Sequence, residues 1–366
     1  MNVNNLLVLD LSYNRIHAVH KDTFLGLQRL VKLTLRGNNL YSIQNGGFRG
    51  IPQLKYIDLS LNVIDEFSDK IFSDLTNLND MMTDSYVFCC LRPESVEEQN
   101  CKPDPDAFSS CYDLMKFSVL RWTLWIVSIM ALFGNFGVIM YRVIFERRTI
   151  YKPSVFLILN LSISDFLTGI YLVIIAIADT VYKGNYILNE KEWRQSIICK
   201  FAGVLMTIAS EASVNFILLI ALDRFIAVHQ PFKHRNITLK LTAVAVSGVW
   251  IFVTLLGTIP LVFIDYFSES FYTKQGVCLA LPFVTKNISG WEYSMSIFVI
   301  YNSVVFIIIA VCQLMIYHTA KGSGVIMSTK TRQDLTLARK LFVVVLTDFL
   351  CWIPIGVMGK PYLIKS

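Results

Sequence analysis

Apolar residues and asparagines recur every 24 residues between positions 6 and 64. Each unit has alternating leucine or isoleucine side chains followed by an asparagine, at Asn14, Asn38 and Asn62. Alternation over a few residues predicts a short strand, and a fixed step between strands predicts a solenoid whose neighbouring units bury one another. We expect each asparagine to turn inward and bond backbone groups that lack a ladder partner. The repeated apolar positions are Leu6, Leu9, Leu11 and Ile16; Leu30, Leu33, Leu35 and Leu40; and Leu54, Ile57, Leu59 and Ile64.

This step and residue order are typical of leucine-rich repeats, so residues 1–83 are predicted to form an α/β solenoid fragment of about three complete repeats. A fourth unit begins with Leu78 and Met81 but has Tyr86 where asparagine is due, and the array is predicted to end there. The concave surface of a solenoid commonly binds partners, although its strand residues can also be merely solvated. Candidate ligand-binding residues on this surface are Asp10, Lys32, Arg36, Tyr56 and Asp58.

A cysteine-containing segment at residues 84–116 follows the repeats. Four cysteines allow three disulfide pairings, and the sequence does not choose among them. We predict a disulfide-linked cap and hinge, because the segment has no histidine and its spacing fits no common zinc site. These cysteines are Cys89, Cys90, Cys101 and Cys111.

Six long apolar stretches occupy the rest of the chain, residues 117–366. Each is long enough to cross a bilayer as a helix, which takes about 20 residues. Only 16% of the chain is charged, against about 25% in soluble domains, which favours a multi-pass membrane helical bundle. The predicted spans are 119–143, 153–180, 200–228, 241–264, 293–317 and 339–359.

Basic residues gather in alternate loops between these spans. By the positive-inside rule those loops face the cytoplasm, which places the amino terminus outside the cell. The net charge of +6 therefore indicates membrane topology, and no nucleic-acid partner is predicted. Asn287 starts an Asn-Ile-Ser sequon in an outer loop, where it is either glycosylated or an unmodified loop residue. No signal peptide is visible at Met1, so we expect the natural chain to begin earlier.

Several polar and ionisable side chains lie within the spans, where they are costly and are candidates for function. The alternative is hydrogen bonding that merely fixes the bundle. We favour function for Asp165 and for the Asp223–Arg224 pair, because buried charges require a partner or a water-filled cavity. The full set is Asn135, Asp165, Glu211, Ser213, Asp223, Arg224 and Asp348.

The order of short motifs in these spans resembles the rhodopsin-like G-protein-coupled receptors. The resemblance covers about residue 117 to the end. It rests on Gly134-Asn135, Leu161-x-x-x-Asp165, Cys199, Asp223-Arg224-Phe225, Trp250 and Cys351-Trp352-Ile353-Pro354. It implies six of the family's seven helices, with no seventh span after Met358, so we expect a truncated chain that does not signal normally by itself.

Further motifs are similar to the leucine-rich-repeat-containing receptors, which bind glycoprotein hormones or relaxin-like peptides. These motifs are Ala209-Ser210-Glu211 and Thr347-Asp348. Within that group, the hinge at Asn100-Cys101-Lys102-Pro103 and the stretch Cys351-Trp352-Ile353-Pro354-Ile355 look most like relaxin-family peptide receptors.

The resemblance also implies roles for single residues. A disulfide would join Cys199 to Cys278. Asp223, Arg224 and Phe225 would form the latch at the G-protein side. Trp352 and the helix-kinking Pro354, with Asp348 and Glu211, would form the activation switch. Asp165, Ser213 and Asn135 would form an internal sodium pocket. Two departures from the family pattern are Phe225 in place of tyrosine and the lack of a proline in the middle of the fifth span.

The resulting hypothesis is a plasma-membrane receptor whose repeats bind a secreted relaxin-like peptide hormone and whose helices activate a heterotrimeric G protein. A glycoprotein-hormone receptor of the same group and a repeat-bearing adhesion or decoy protein are the alternatives. A transporter is less favoured, because no inverted repeat or paired broken helices are visible. No nucleophile–base pair or phosphate-binding loop appears, so an enzyme is not predicted.

Overall fold

The computed structural model describes residues 5–103, 108–229, 237–267, 271–280 and 290–322. The chain forms two compact units. The first comprises residues 1–112 with 185–188, and the second comprises residues 113–184 with 189–366.

Parallel strands build the first unit in the order that the 24-residue step predicts. One sheet has the order β1-β3-β5-β7-β8 and the other the order β2-β4-β6. Leu9, Leu33, Ile57 and Met81 are direct neighbours in successive strands, so each strand sits one repeat from the next. The strands are β1 Val8–Asp10, β2 Ala18–Val19, β3 Lys32–Thr34, β4 Ser42–Ile43, β5 Tyr56–Asp58, β6 Glu66–Phe67, β7 Asp80–Met82 and β8 Cys101–Lys102.

The core between the two sheets is a continuous stack of apolar side chains. Leu33 and Ile57 are fully buried, as inward-facing strand positions should be. On the opposite wall Phe24, Phe48 and Phe72 stack, with ring centroids 6.1 Å and 5.8 Å apart. Because each unit leaves an apolar face for the next, burial accumulates along the stack and not within a single repeat.

The asparagines form a hydrogen-bonded ladder at the bend after each strand. The Asn62 amide donates to the carbonyls of Leu35 and Leu59 at 3.0 and 2.8 Å, and its oxygen accepts from the backbone N–H groups of Asn38 and Leu40. One repeat earlier, the Asn38 amide donates to the carbonyls of Leu11 and Leu35, and its oxygen accepts from the Ile16 N–H.

In the fourth unit an acid replaces the missing asparagine. The Asp84 carboxylate accepts the backbone N–H groups of Leu61 and Asn62. Tyr86, which occupies the expected asparagine position, instead begins helix α1, Tyr86–Cys90. The ladder therefore continues one step beyond the point at which the sequence pattern stops.

Replacing Asn62 with alanine is expected to destabilise the repeat unit by about 3 kcal/mol, because several buried backbone groups lose their partners at once. Flow cytometry measures the surface expression of the full-length protein. The temperature at which the protein loses binding of a conformation-specific antibody measures its stability. Asn45, which is exposed, provides the matched asparagine-to-alanine control. Equal expression and equal thermal loss for the two variants would contradict a structural role for the ladder.

The cysteine segment closes one end of this sheet. Disulfides join Cys89 to Cys101 and Cys90 to Cys111, which selects one of the three possible pairings. Strand β8, which begins at Cys101, pairs in parallel with β7. The segment predicted as a hinge and cap thus adds a fifth strand to the repeat sheet, which the apolar periodicity does not indicate.

Five helices of the second unit are long and apolar enough to cross a membrane, by length and composition. Four are continuous: α2 Ser118–Ile144, α3 Pro153–Val181, α5 Ile197–His229 and α6 Leu239–Val262. The fifth runs from Trp291 to Thr319 and matches the predicted span 293–317. The predicted sixth span at 339–359 lies outside the described residues.

The fifth span is interrupted by a π-helical segment. Helix α8, Trp291–Ser294, leads into the π-helix Met295–Tyr301, and helix α9, Asn302–Gly322, follows. Shorter helices lie between the spans, namely α4 Tyr186–Gln195 and α7 Ile264–Phe267. Neither the π-helix nor α4 is predicted by the apolar pattern.

Candidate functional site

The latch residues lie near the end of α5 that is predicted to face the cytoplasm. Arg224 Nη2 is 3.4 Å from Asp223 Oδ2, and the two side chains are 12% and 6% exposed. The hydroxyl of Ser154, in the first turn of α3, donates to Asp223 at 2.9 Å. The acid is therefore bound from two sides, and the arginine is held against it.

A histidine missed by the sequence analysis links α5 to α9 one turn further along. His229 Nδ1 lies 3.2 Å from the Phe225 carbonyl oxygen. Because a carbonyl oxygen can only accept, Nδ1 donates. Nε2 then lies 2.8 Å from the Thr319 hydroxyl on α9. The Phe225 ring stacks on the His229 ring at 4.4 Å, so the residue that replaces the family's tyrosine orients this link.

The structure brings together two of the three residues predicted for the sodium pocket. The Ser213 hydroxyl donates to Asp165 Oδ1 at 2.7 Å, joining α5 to α3. The Asn135 amide donates instead to the Ala131 carbonyl of its own helix. Carboxylate and hydroxyl oxygens are suitable donors for a hard cation, so the chemistry of the Asp165–Ser213 pair fits sodium.

Glu211 is fully buried one turn of α5 from Asn215. Its Oε1 accepts from the Asn302 amide of α9 at 3.1 Å, and the Asn215 oxygen accepts from the Tyr301 hydroxyl at 2.7 Å. Two polar contacts therefore join α5 to the fifth span, and three of their four residues were not singled out from the sequence.

Trp250 also has an unpredicted partner. Its indole N–H donates to the Asn160 oxygen at 3.0 Å, and its ring packs against Phe216 at 5.5 Å. Asn160 thus joins α3 to α6, whereas its position in the sequence stands out only as a sequon inside a span.

Residues 271–280, in the loop between α6 and the fifth span, are held firmly over α5. A disulfide joins Cys199 to Cys278, the pair that the resemblance implies. Around it, Tyr171 donates to the Val277 carbonyl and Trp193 to the Gly276 carbonyl, each at 2.7 Å. The covalent link and the hydrogen bonds together fix the residues on the amino-terminal side of Cys278.

An aromatic residue of the same loop inserts between two helices. The Tyr272 hydroxyl donates to the Gly257 carbonyl of α6 at 2.7 Å, and burial raises the pKa of this phenol. A Cβ atom at Gly203 of α5 would lie 2.7 Å from the Tyr272 ring, so only glycine admits the ring there. Partial burial lowers the pKa of the neighbouring Lys274.

A buried ion pair connects the start of α2 to the end of α3. Asp179 is fully buried and accepts from Arg121 Nε at 2.5 Å and from the Met115 N–H at 2.8 Å. Arg121 also lies 3.4 Å from Asp113, whose carboxylate accepts the Gly184 N–H. The sequence does not predict a role for any of these residues, because charged residues are common at the ends of membrane spans.

The concave repeat surface divides its candidate residues into two kinds. The Asp58 carboxylate is buried, accepts from the Ser60 N–H and hydroxyl, and lies 4.0 Å from Arg36. Arg36 in turn donates to the hydroxyls of Tyr13 and Ser60. Asp58 is thus engaged within its own repeat, and Arg36 is engaged with the repeats on either side of it.

The other candidates present their side chains outward. Asp10 is exposed, and hydrogen bonds from Ser12 lower the pKa of its carboxyl below the usual value. The Lys32 ammonium lies over the Tyr56 ring, 4.8 Å from its centroid. Among the predicted residues, Asp10 therefore offers an exposed anion, and Lys32 offers a cation that lies on an aromatic ring.

The remaining predicted site residues lie outside the described residues. They are Asn287, Asp348, Trp352 and Pro354.

Comparison with known proteins adds independent information about both units. The family model for the seven-transmembrane receptors of the rhodopsin family matches residues 134–363, and a leucine-rich-repeat model matches residues 1–40 and 28–81. One similar protein is the G-protein coupled receptor GRL101 of Lymnaea stagnalis, 43% identical over 291 residues, which are 79% of this chain and 26% of that protein.

Two named hormone receptors are also similar. The lutropin-choriogonadotropic hormone receptor of Mus musculus is 30% identical over 84% of this chain and 44% of its own length. Relaxin receptor 1 of Mus musculus is 29% identical over 78% of this chain and 37% of its own length. The chain thus spans less than half the length of each of these relatives.

Proposed function

This chain belongs to the rhodopsin family of seven-transmembrane receptors, in its leucine-rich-repeat-containing group, and from that premise we propose that it binds a secreted hormone outside the cell and activates a heterotrimeric G protein inside. The observation that supports this most directly is the Asp223–Arg224 pair at one end of α5. A buried arginine beside an acid can change partners when helices move, which a membrane anchor would not need.

The physical mechanism is a shift of population between two helix arrangements. Hormone binding changes their balance only as far as it favours one arrangement over the other. In the arrangement seen here, Arg224 is paired with Asp223. We assign this to the resting receptor, because an arginine engaged by an acid is not available to a G protein.

The same topology gives the proposed location. We propose a multi-pass plasma-membrane protein with an extracellular amino terminus, since basic residues gather in the loops on one side. The two repeat-cap disulfides and the Cys199–Cys278 disulfide are consistent with an oxidising environment on the other side.

For the ligand we propose a relaxin-like peptide. In receptors of this type, acidic residues of the concave surface contact arginines of the hormone, and Asp10 is an exposed acid at a suitable position. The two named hormone receptors are similar to this chain to almost the same degree, so a glycoprotein hormone is the second candidate. Asp165 and Ser213 would hold a sodium ion, which would stabilise one helix arrangement by neutralising the partly buried carboxylate.

The function is tested on cells that express the full-length receptor. A two-chain relaxin-like peptide and a heterodimeric glycoprotein hormone are applied separately, and second messengers of each G-protein class are measured. A concentration-dependent response to the first supports the whole proposal. A response to the second alone supports the receptor but replaces the ligand. If both bind and neither changes any messenger, the chain is an adhesion or decoy protein.

Charge reversal at Asp10 is expected to weaken binding of the relaxin-like peptide by about 10-fold, because an arginine of the ligand would then face a lysine. Radioligand displacement on whole cells measures the affinity. Asp65→Lys is the control, since Asp65 also lies in the repeat region but outside the concave strands. Charge reversal at Asp58 is expected to reduce surface expression instead, because its carboxylate is buried. An unchanged affinity in the Asp10 variant would remove this residue from the ligand site.

A further inference from the structure

The contact between α5 and the fifth span contains a polar clamp, which we define as Glu211 with Asn302 and Asn215 with Tyr301. The distances are 3.1 Å and 2.7 Å. Glu211, Asn215 and Asn302 are buried, so these bonds form where water does not compete. Glu211 and Asn215 are four residues apart on α5 and therefore point from one face of the helix.

The clamp meets the fifth span where its helix changes type. Tyr301 is the last residue of the π-helix Met295–Tyr301, and Asn302 is the first residue of α9. A π-helical turn contains an extra residue relative to an α-helix, is rare, and occurs frequently at functional sites. In a regular α-helix adjacent residues point about 100° apart, which makes it harder for two neighbours to serve one partner helix. Here the two neighbours at the junction of the π-helix and α9 both bond to α5.

The extra residue of the π-helix sets the register of α9 relative to α5. Converting the π-turn to a regular α-helix would move α9 by one residue, which is about 1.5 Å along its axis and about 100° around it. The packing beyond the clamp depends on the present register: Val305, Phe306 and Ile309 form a buried cluster with Val214, Ile217 and Ala221.

The same register also places Thr319. Its hydroxyl lies 2.8 Å from His229, which is five residues beyond Arg224 on α5. Rotation of α9 would remove this bond and change the surface beside the latch. The clamp is therefore mechanically connected, through one rigid helix, to the end of the bundle proposed to bind the G protein.

We propose that Tyr301 and Asn302 are positioning residues that keep the fifth span in its π-helical, resting register by bonding to Asn215 and Glu211. This proposal rests on the proposed receptor function. The resting assignment follows from the Asp223–Arg224 pair, which is formed in the same structure. A proline, which family members commonly carry in this span, is absent here, and the clamp supplies the constraint that fixes the deformed turn.

The test uses the full-length receptor without any hormone. Membranes with equal receptor numbers receive a purified heterotrimer of each G-protein class in turn, and the rate of GTPγS uptake is measured. Tyr301→Phe removes one hydroxyl, and Asn302→Ala removes one amide. Each is expected to raise the basal rate by about 2- to 10-fold, the factor that corresponds to one lost hydrogen bond. Ile307→Ala, at an exposed position of α9, is the control and should match the wild type.

A second pair of variants separates positioning from folding. Glu211→Gln retains an oxygen that accepts from Asn302 and is expected to stay near the wild-type basal rate. Glu211→Leu has no acceptor and is expected to show the raised rate. Loss of folding lowers signalling for every variant, so a rise that the glutamine prevents is specific to the clamp.

The outcomes for the clamp and for the receptor function differ. If the wild type catalyses exchange but Tyr301→Phe and Asn302→Ala show its basal rate or a lower one, the clamp proposal is wrong and the receptor function stands. If wild type and all variants catalyse no exchange with any G protein, the receptor function fails and the clamp proposal fails with it.

Discussion

Replacing Arg224 with alanine in the full-length receptor is expected to reduce hormone-evoked G-protein activation by about 10- to 100-fold. The guanidinium is the charged donor closest to the proposed G-protein side of α5, and a charge-assisted hydrogen bond contributes about 1.5–3 kcal/mol. GTPγS uptake at matched surface expression, with whichever hormone proves active, measures the loss. Arg142→Ala is the matched control, because Arg142 pairs only locally with Glu146 among the described residues, at 2.8 Å.

The partner of this arginine should show the opposite effect. Asp223→Asn keeps the shape of the side chain but removes the charge that holds Arg224, so the basal rate should rise. Ser154→Ala, which deletes one of the bonds to Asp223, should produce a smaller rise. If Arg224→Ala left both basal and evoked exchange unchanged, the signalling interpretation of this end of the bundle would have to be abandoned.

Replacing Asp179 with alanine is expected to destabilise the helical bundle by about 3–5 kcal/mol. The change leaves Arg121, which is only 17% exposed, without its principal partner, and it also removes the acceptor of the Met115 N–H. Breaking a buried ion pair from one side has this cost because the remaining charge is desolvated without compensation. Thermal unfolding of the receptor in nanodiscs and its surface expression measure the effect.

Arg121, the partner of Asp179, provides the control. Combining Asp179→Leu with Arg121→Met removes both charges and preserves apolar volume, so most of the stability should return. Glu146→Ala, in the half-exposed pair with Arg142, should cost no more than about 1 kcal/mol. A double variant as unstable as Asp179→Ala alone would show that packing, and not the unpaired arginine, is responsible.

Sequence periodicity predicted the architecture because the spacing of apolar residues is determined within each strand or helix. The 24-residue step fixed the strand register through Leu9, Leu33 and Ile57, and the apolar lengths placed the described spans within a few residues of their helices. The inward role of Asn38 and Asn62 also followed from the pattern, since a bend without ladder partners requires a side-chain donor and acceptor.

The polar contacts between elements could not be predicted in the same way. Glu211 and Asn302 are 91 residues apart, and Arg121 and Asp179 are 58 residues apart. Periodicity indicates which face of a helix is apolar. It does not indicate which other helix packs against that face, or how the two helices are aligned along their axes. The resemblance named Glu211 and could supply no partner for it, and it gave no indication of Asp179.

Two further features depend on the three-dimensional path of the chain. The pairing of the four cap cysteines is fixed only when β8 lies beside β7. The substitution of Asp84 for an asparagine is equally hidden, because Asp84 lies two residues before the expected ladder position, Tyr86, where α1 begins. In the concave surface, burial separated Asp58 from Asp10, although both occupy equivalent positions in the sequence repeat.

Strand β8 has a consequence for the solubility of the repeat sheet. A β-sheet that stops at an open strand offers unpaired N–H and C=O groups to any other extended chain, and such edges promote self-association. Here the last repeat strand, β7, is covered by two residues that a covalent bond to Cys89 retains in place. Reduction of the Cys89–Cys101 disulfide would release β8 and leave β7 as an unpaired, aggregation-prone edge strand. The protein should therefore be handled under non-reducing conditions to remain monodisperse.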